Sequence, residues 1–162
     1  MTRDEDFTAY VGARWPSLVR AATYLGCTPK EAEDLAQETL VRCYRAWDRV
    51  SRADRQDAYV YRVLMNGFTR SRRRLWHGER PTAELPVVAA ASEDVTDRLD
   101  LARVLAGLTP QHRDVLVLRY VADLSEAQTA AVLGVPAGTV KSRVYRALAA
   151  VDRSSLTREE TR

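Results

Sequence analysis

The sequence predicts an all-α protein: two small helical domains joined by an acidic flexible linker, the second domain carrying a helix-turn-helix. Three observations predict it. Apolar residues recur at three- and four-residue spacing in every long segment, and no strand-like alternation of useful length occurs. Residues 78–94, GERPTAELPVVAAASED, hold two prolines, many small residues and no helical period, which is linker chemistry. Near the end, SEAQTAAVLGVPAGTV joins a capping box, a glycine-containing turn and the start of a new helix. The expected domains are residues 1–77 and 95–152, with 78–94 between them and a tail at 153–162.

The elements follow in order. Phe7, Tyr10, Val11, Arg14, Trp15, Leu18, Ala22 and Leu25 keep helical spacing, so the first helix is amphipathic, with a disturbance expected at Pro16. Gly26 can end it, and Thr28 with Pro29 can begin the next, Thr as N-cap and Pro at the first helical position. That second helix, roughly 29–48, puts Ala32, Leu35, Ala36, Thr39, Leu40, Cys43 and Trp47 on one face. A third runs over about 56–75. Val60, Leu64, Gly67, Ser71 and Leu75 face inward, and Tyr59, Arg62, Asn66, Arg70 and Arg73 face out. After the linker, Val95, Leu99, Ala102 and Leu105 make one helix. Thr109-Pro110 begins another that ends near Val121. Ser125 and Gln128 form the capping box of a short helix closed at Gly134, and a last helix takes 137–151.

Length and charge limit the function. The 162 residues fit one medium domain or two small ones, and two small cores would each be marginal. No apolar run approaches the roughly 18 residues a membrane span needs. The N-terminus, MTRDEDFTAY, has acids where a signal peptide needs bases, so a cytoplasmic location is expected. Cys27 and Cys43 read as reduced, buried thiols. Residues 1–77 carry 14 bases and 10 acids, 78–94 one base and four acids, and 95–162 ten bases and eight acids. Two basic blocks flanking an acidic connector point to polyanion partners.

The last helix carries the sharpest chemistry. Val140, Val144, Ala147, Leu148 and Val151 form the seat on its partner helix. Thr139, Ser142, Arg143 and Arg146 fall at i, i+3, i+4 and i+7 on the other side, with Lys141 beside them. Small donors near a helix N-terminus followed by arginines suit a helix laid in the major groove. Arg143 and Arg146 can grip guanine edges, and Lys141 suits phosphate. A charged face alone is more often a solvated surface. The capping box, the Gly-Val-Pro turn and the donor pattern together favour DNA.

These segments resemble a known family. Residues 127–134, AQTAAVLG, and 138–143, GTVKSR, are similar to the −35-reading segment of bacterial sigma factors of the extracytoplasmic-function (group 4) class. Residues 33–40, EDLAQETL, resemble that family's D-L-x-Q-E motif for core polymerase. Residues 59–66, YVYRVLMN, resemble the segment that reads and opens the −10 element. Order and spacing fit over about 7–151. The resemblance implies a factor that binds core RNA polymerase, at the clamp coiled coil of the largest subunit and the flap of the second, and directs promoter-specific transcription initiation. Promoter DNA is the second partner, and an anti-sigma factor is a further one the family allows. Asp34, Leu35, Gln37, Glu38 and Val41 would meet the polymerase. Tyr59, Arg62, Asn66, Arg70, Arg73 and Arg74 would meet the −10 DNA, Asn66 offering donor and acceptor to an unstacked base. Thr139, Lys141, Ser142, Arg143 and Arg146 would meet the −35 DNA. Tyr59 and Tyr61 are fewer aromatics than housekeeping sigma factors use for melting, and Tyr59 stands where those often carry Trp, which implies dependence on a near-perfect promoter.

Other function classes explain less. A stand-alone DNA-binding regulator accounts for 95–151 but not for the 33–40 motif or the arginines after Asn66. An enzyme is not expected, because His77 and His112 have no Ser or Cys partner at sensible spacing. Cys27, Cys43 and His77 lack ligand-pair spacing, so no metal is expected, and no cofactor. With the chain ending at Arg162, no large C-terminal regulatory domain is expected.

Overall fold

The structure, a computed structural model, describes residues 1–53, 55–76 and 95–160. The expected linker lies outside the described residues. Every regular element among them is helical: α1 Arg3–Leu25, α2 Pro29–Arg45, α3 Trp47–Val50, α4 Gln56–Trp76, α5 Val95–Ala106, α6 Pro110–Leu116, α7 Glu126–Leu133 and α8 Ala137–Glu160. A π-helical turn, Val117–Val121, extends α6.

The stop and start chemistry works as the residue types dictate. Thr28 accepts from the backbone of Glu31, whose side chain accepts from Thr28 in return, and Ser125 and Gln128 repeat this box ahead of α7. Gly26 and Gly134 end α1 and α7 in the left-handed region, at φ 116° and 66°.

Three boundaries depart from the sequence reading. Pro16 does not interrupt α1. The carbonyl it frees belongs to Gly12, and both residues face solvent, so water can take the orphaned acceptor. The helix expected over 29–48 breaks at Ala46, whose φ of −109° is not helical, and restarts as α3. The last helix runs on to Glu160 through most of the expected tail.

In the first half, α2 packs against α1 on one side and α4 on the other. Trp47 is the anchor. It is fully buried, its Nε1 donates to Asp6 at 3.0 Å, and the rings of Phe7 and Tyr10 lie 5.1 and 5.3 Å from it. Asp57 of α4 accepts from the Tyr10 hydroxyl at 2.9 Å and from Arg14 at 3.0 Å, tying α4 to α1. At the α2–α4 crossing, a Cβ on Gly67 would lie 2.9 Å from Leu35 Cδ1, so the helices approach closely only because Gly67 has none. In the second half, α8 sits on α6 and α7, with Val115, Val117, Leu118, Thr129 and Val140 fully enclosed.

The halves also touch. Helix α7 packs on α4, and α1 packs on α5 and on the π turn. Arg55 reaches the Ala127 carbonyl at 3.5 Å across this contact. Buried apolar side chains of both halves form one continuous cluster. Two separate cores of this size would each bury too little surface, and joining them relieves that shortage.

Candidate functional site

Three surfaces carry the residues singled out from the sequence. The first is the outer edge of α2. Asp34, Gln37 and Glu38 are exposed, and Val41 is 51% exposed, so four of the five expected polymerase contacts form an outward ridge. Leu35 does not. It is 5% exposed and packed at the α2–α4 crossing, and its apolar period outweighs its place in the motif. The ridge borders an apolar groove of about 660 Å³ between α1 and α2, lined by Phe7, Val11, Trp15, Leu40, Val41 and Tyr44. An apolar slot rimmed by Gln37 and Arg45, beside the ridge that carries Asp34 and Glu38, has the anatomy of a protein interface. Glu38 is already engaged: its Oε1 lies 3.2 Å from Arg42 and 3.7 Å from Arg70 of α4. All three side chains are about half exposed, so these pairs are weak and can exchange for a partner's cation.

The second surface is the outer face of α4. Asp57 in the first turn and the α1 contacts fix its orientation, with Val60, Tyr61, Leu64, Met65 and Phe68 buried beneath. Tyr59, Arg62, Asn66, Arg70, Arg73 and Arg74 all face solvent. Ser71, expected inside, is exposed as well. The four clustered arginines divide by task. Arg72 donates to the Gly26 carbonyl at 2.7 Å and lies over the Phe68 ring, so it closes the end of α1. Arg70 pairs with Glu38. Arg73 and Arg74 extend beyond both, in the last turn, where a cation also suits the helix dipole.

The third surface is α8. Its first carbonyl acceptor is Pro136, which receives Thr139 and Val140. Val140 and Ala147 are fully buried and set the helix rotation. Lys141, Ser142, Tyr145 and Arg146 then point outward, while Thr139 and Arg143 are half-buried along the flank. Ser142 donates to the Gly138 carbonyl at 3.0 Å, leaving its oxygen free to accept. Tyr145, at 77% exposure, belongs to this outward face and was not among the residues picked from the sequence. A large aromatic one position past the seat residue Val144 was the available sign. Leu148, expected in the seat, is 42% exposed because Ala147 takes the inward position.

Residues 13–78 match the family description Sigma-70 region 2, and residues 98–151 match Sigma-70, region 4. An RNA polymerase sigma-E factor of Streptomyces avermitilis is 41% identical over 146 residues, covering 89% of this chain and 82% of that one. The chain belongs to the extracytoplasmic-function class of sigma factors. Another member, ECF RNA polymerase sigma factor SigC of Mycobacterium tuberculosis, is 31% identical over 145 residues, 86% of this chain and 77% of its own. The solved sigma factor RpoE of Bartonella quintana, in complex with the anti-sigma factor NepR, superposes with a TM-score of 0.78 at 27% identity. That match covers 92% of this chain and 96% of RpoE. As a sigma factor, the protein acts with RNA polymerase in promoter-specific transcription initiation. No helix among the described residues is long and apolar enough to cross a membrane.

Proposed function

We propose that the three surfaces divide the work of this sigma factor. Residues 1–77 form the unit that holds core polymerase and the −10 element, residues 95–152 the unit that holds the −35 element, and 78–94 the tether between them. The α2 ridge of Asp34, Gln37, Glu38 and Val41, with its neighbouring groove, docks on the clamp coiled coil of the largest polymerase subunit. The carboxylates take arginine forks while the groove takes an apolar side chain. The second half rests on the flap of the second subunit. The observation that carries this reading is the ridge itself: a polar edge with an exposed Val41 beside an unfilled apolar slot.

On α4, Asn66 hydrogen-bonds a base that has left the stack, Tyr59 offers a stacking surface, and Arg62, Arg70, Arg73 and Arg74 hold phosphates. On α8, Ser142, Tyr145 and Arg146 meet base edges and Lys141 a phosphate. The protein works by binding and positioning, without catalysing a covalent step, and in the cytoplasm, where its polymerase is. An anti-sigma factor is a third partner, an inference supported by the Bartonella relative solved with one.

The test is a pull-down of core polymerase with the Asp34→Arg, Val41→Glu double variant. Both positions are exposed and neither pairs with Arg42 or Arg70, so helical content by circular dichroism should not change. Binding to core should fall at least tenfold, and run-off transcription with it. Wild-type affinity in the double variant would place the polymerase contact elsewhere.

A further inference from the structure

One carboxylate joins the outer edge of α2 to the outer face of α4. Glu38 stands on the α2 ridge with Asp34, Gln37 and Val41, and Arg70 stands on the α4 face with Tyr59, Arg62 and Asn66. Glu38 Oε1 lies 3.2 Å from Arg42 Nη2 and 3.7 Å from Arg70 Nη2. The Arg70 guanidinium is therefore drawn toward α2. A second distance agrees: the same Nη2 passes 3.8 Å from the point a Cβ on Gly67 would occupy. Long side chains on a helix lie back over the preceding turn, and Gly67, three residues earlier, leaves that path open.

The two cations on Glu38 are not equally held. Arg42 is four residues on along the same helix, and its Nε also donates to Oε1 at 3.2 Å. Arg70 comes from another helix, at the longer distance, and all three side chains are about half exposed. An exposed pair of this kind is weak, so a better-placed cation displaces it. An arginine fork on a partner would take both Glu38 oxygens. Arg70, the more weakly held, is the one that leaves.

We propose that Glu38 couples the two partners: it retains Arg70 in the free protein and releases it to −10 DNA when polymerase takes the carboxylate. The proposal rests on the readings of the α2 ridge as the polymerase contact and of the α4 face as the −10 contact. Retention lowers the apparent affinity of each surface in proportion to how often the pair is formed, and linkage makes the effect reciprocal. Removing Arg70 must therefore tighten polymerase binding, although Arg70 makes no polymerase contact.

The experiment measures the affinity of the full chain for core polymerase without DNA, at low salt, where surface pairs are least screened. Wild type, Glu38→Gln, Arg70→Ala, Arg73→Ala and the Glu38→Gln, Arg70→Ala double variant are compared. With core in saturating excess, binding of a −10 fork-junction probe is measured next. All three positions are exposed, so circular dichroism should show unchanged helix content. Glu38→Gln should weaken core binding. Arg70→Ala should tighten it about twofold to fivefold, the range of an exposed pair. Arg73→Ala, which removes a charge from the same helix, should leave core affinity unchanged. In the Glu38→Gln background Arg70→Ala should give no tightening, because no carboxylate is left to free. On the holoenzyme, Arg70→Ala should weaken probe binding at least twofold, as should Arg73→Ala. Wild-type core affinity in Glu38→Gln would remove the ridge reading, and the proposal with it. A loss in Glu38→Gln with no tightening in Arg70→Ala would overturn the coupling alone. So would equal tightening by Arg73→Ala, or by Arg70→Ala in both backgrounds, since either means a diffuse charge effect. Wild-type probe binding by the Arg70→Ala holoenzyme would mean that Arg70 is never released to DNA, and overturns the coupling too. If the Arg73→Ala holoenzyme also bound the probe normally, the α4 reading itself would fail.

Discussion

Asp114 of α6, whose buried Oδ1 has no hydrogen-bond partner, makes a prediction about stability. Its carboxyl titrates near 6 in the folded chain against 3.8 ordinarily, and burial is the main cause. An acid whose pKa rises on folding holds its proton more tightly in the native state. The native state therefore suffers no penalty below pH 3.8, an increasing one between 3.8 and 6, and the whole of it above 6. That interval corresponds to about 3 kcal/mol. Asp114→Asn keeps the shape and removes the charge. It should raise the unfolding free energy by roughly 1–3 kcal/mol at pH 7.5, less than the full interval because the amide stays buried. The gain should vanish at pH 3.5. Urea titrations at both pH values check it, and an equal gain at both would mean the charge is not the cause. Leu35 and Glu38 show what single residues hide. Both stand in the D-L-x-Q-E motif, but Leu35 is committed to the α2–α4 crossing, while Glu38 stays exposed and holds only weak, exchangeable pairs with arginines on two helices. A motif names positions in a line. Whether a side chain is spoken for depends on a neighbour such as Gly67 or Arg70, more than thirty residues away.

Among the elements, helix beginnings and ends were legible because their causes are local. Thr28, Thr109 and Ser125 each accept from the backbone three residues on, and the two helix-ending glycines have the positive φ that their residue type permits. The buried stripe of α2 followed equally well from spacing. The break at Ala46 and the π turn after α6 have no local sign, since both serve packing on α1. The rotation of α8 was half legible. Valine spacing located Val140 but left Ala147 and Leu148 equivalent, and that choice decides whether Tyr145 faces out. Two measurements with holoenzyme check the rotation. Lys141→Ala should weaken binding to all −35 sequences alike and lower the salt slope by about one unit. Tyr145→Ala should leave the salt slope alone and relax preference at one or two base pairs, as loss of an apolar contact would. If Tyr145→Ala changes neither affinity nor preference, the outward face of α8 is not the DNA face.

The whole molecule presents a conflict of lengths. A compact chain of 162 residues has a radius of gyration of about 15 Å and a diameter near 40 Å. Promoter elements two helical turns apart are separated by roughly 70 Å. On the proposed division of work, halves packed with α7 on α4 and α1 on α5 would be too close together to hold both elements at once. The 17 residues from 78 to 94 can reach at most about 55 Å when extended, which is enough to carry the halves apart. The contact between them includes a long hydrogen bond from Arg55 and much small-residue surface on α7, so separation is affordable if polymerase binds each half. The α2 ridge is exposed while the halves are packed together, so on the proposed reading polymerase can bind there before they separate. Energy transfer between dyes at Ser71→Cys and Ala149→Cys follows the change. Both positions are exposed, whereas Cys27 and Cys43 are buried with thiols pushed up to about 11, so labelling is selective. Transfer should be high in the free protein, fall when core polymerase is added, and stay low on promoter DNA. Promoter DNA without polymerase should leave it high. Transfer that stays high in a holoenzyme still transcribing a promoter with both elements would mean that the closed packing survives initiation.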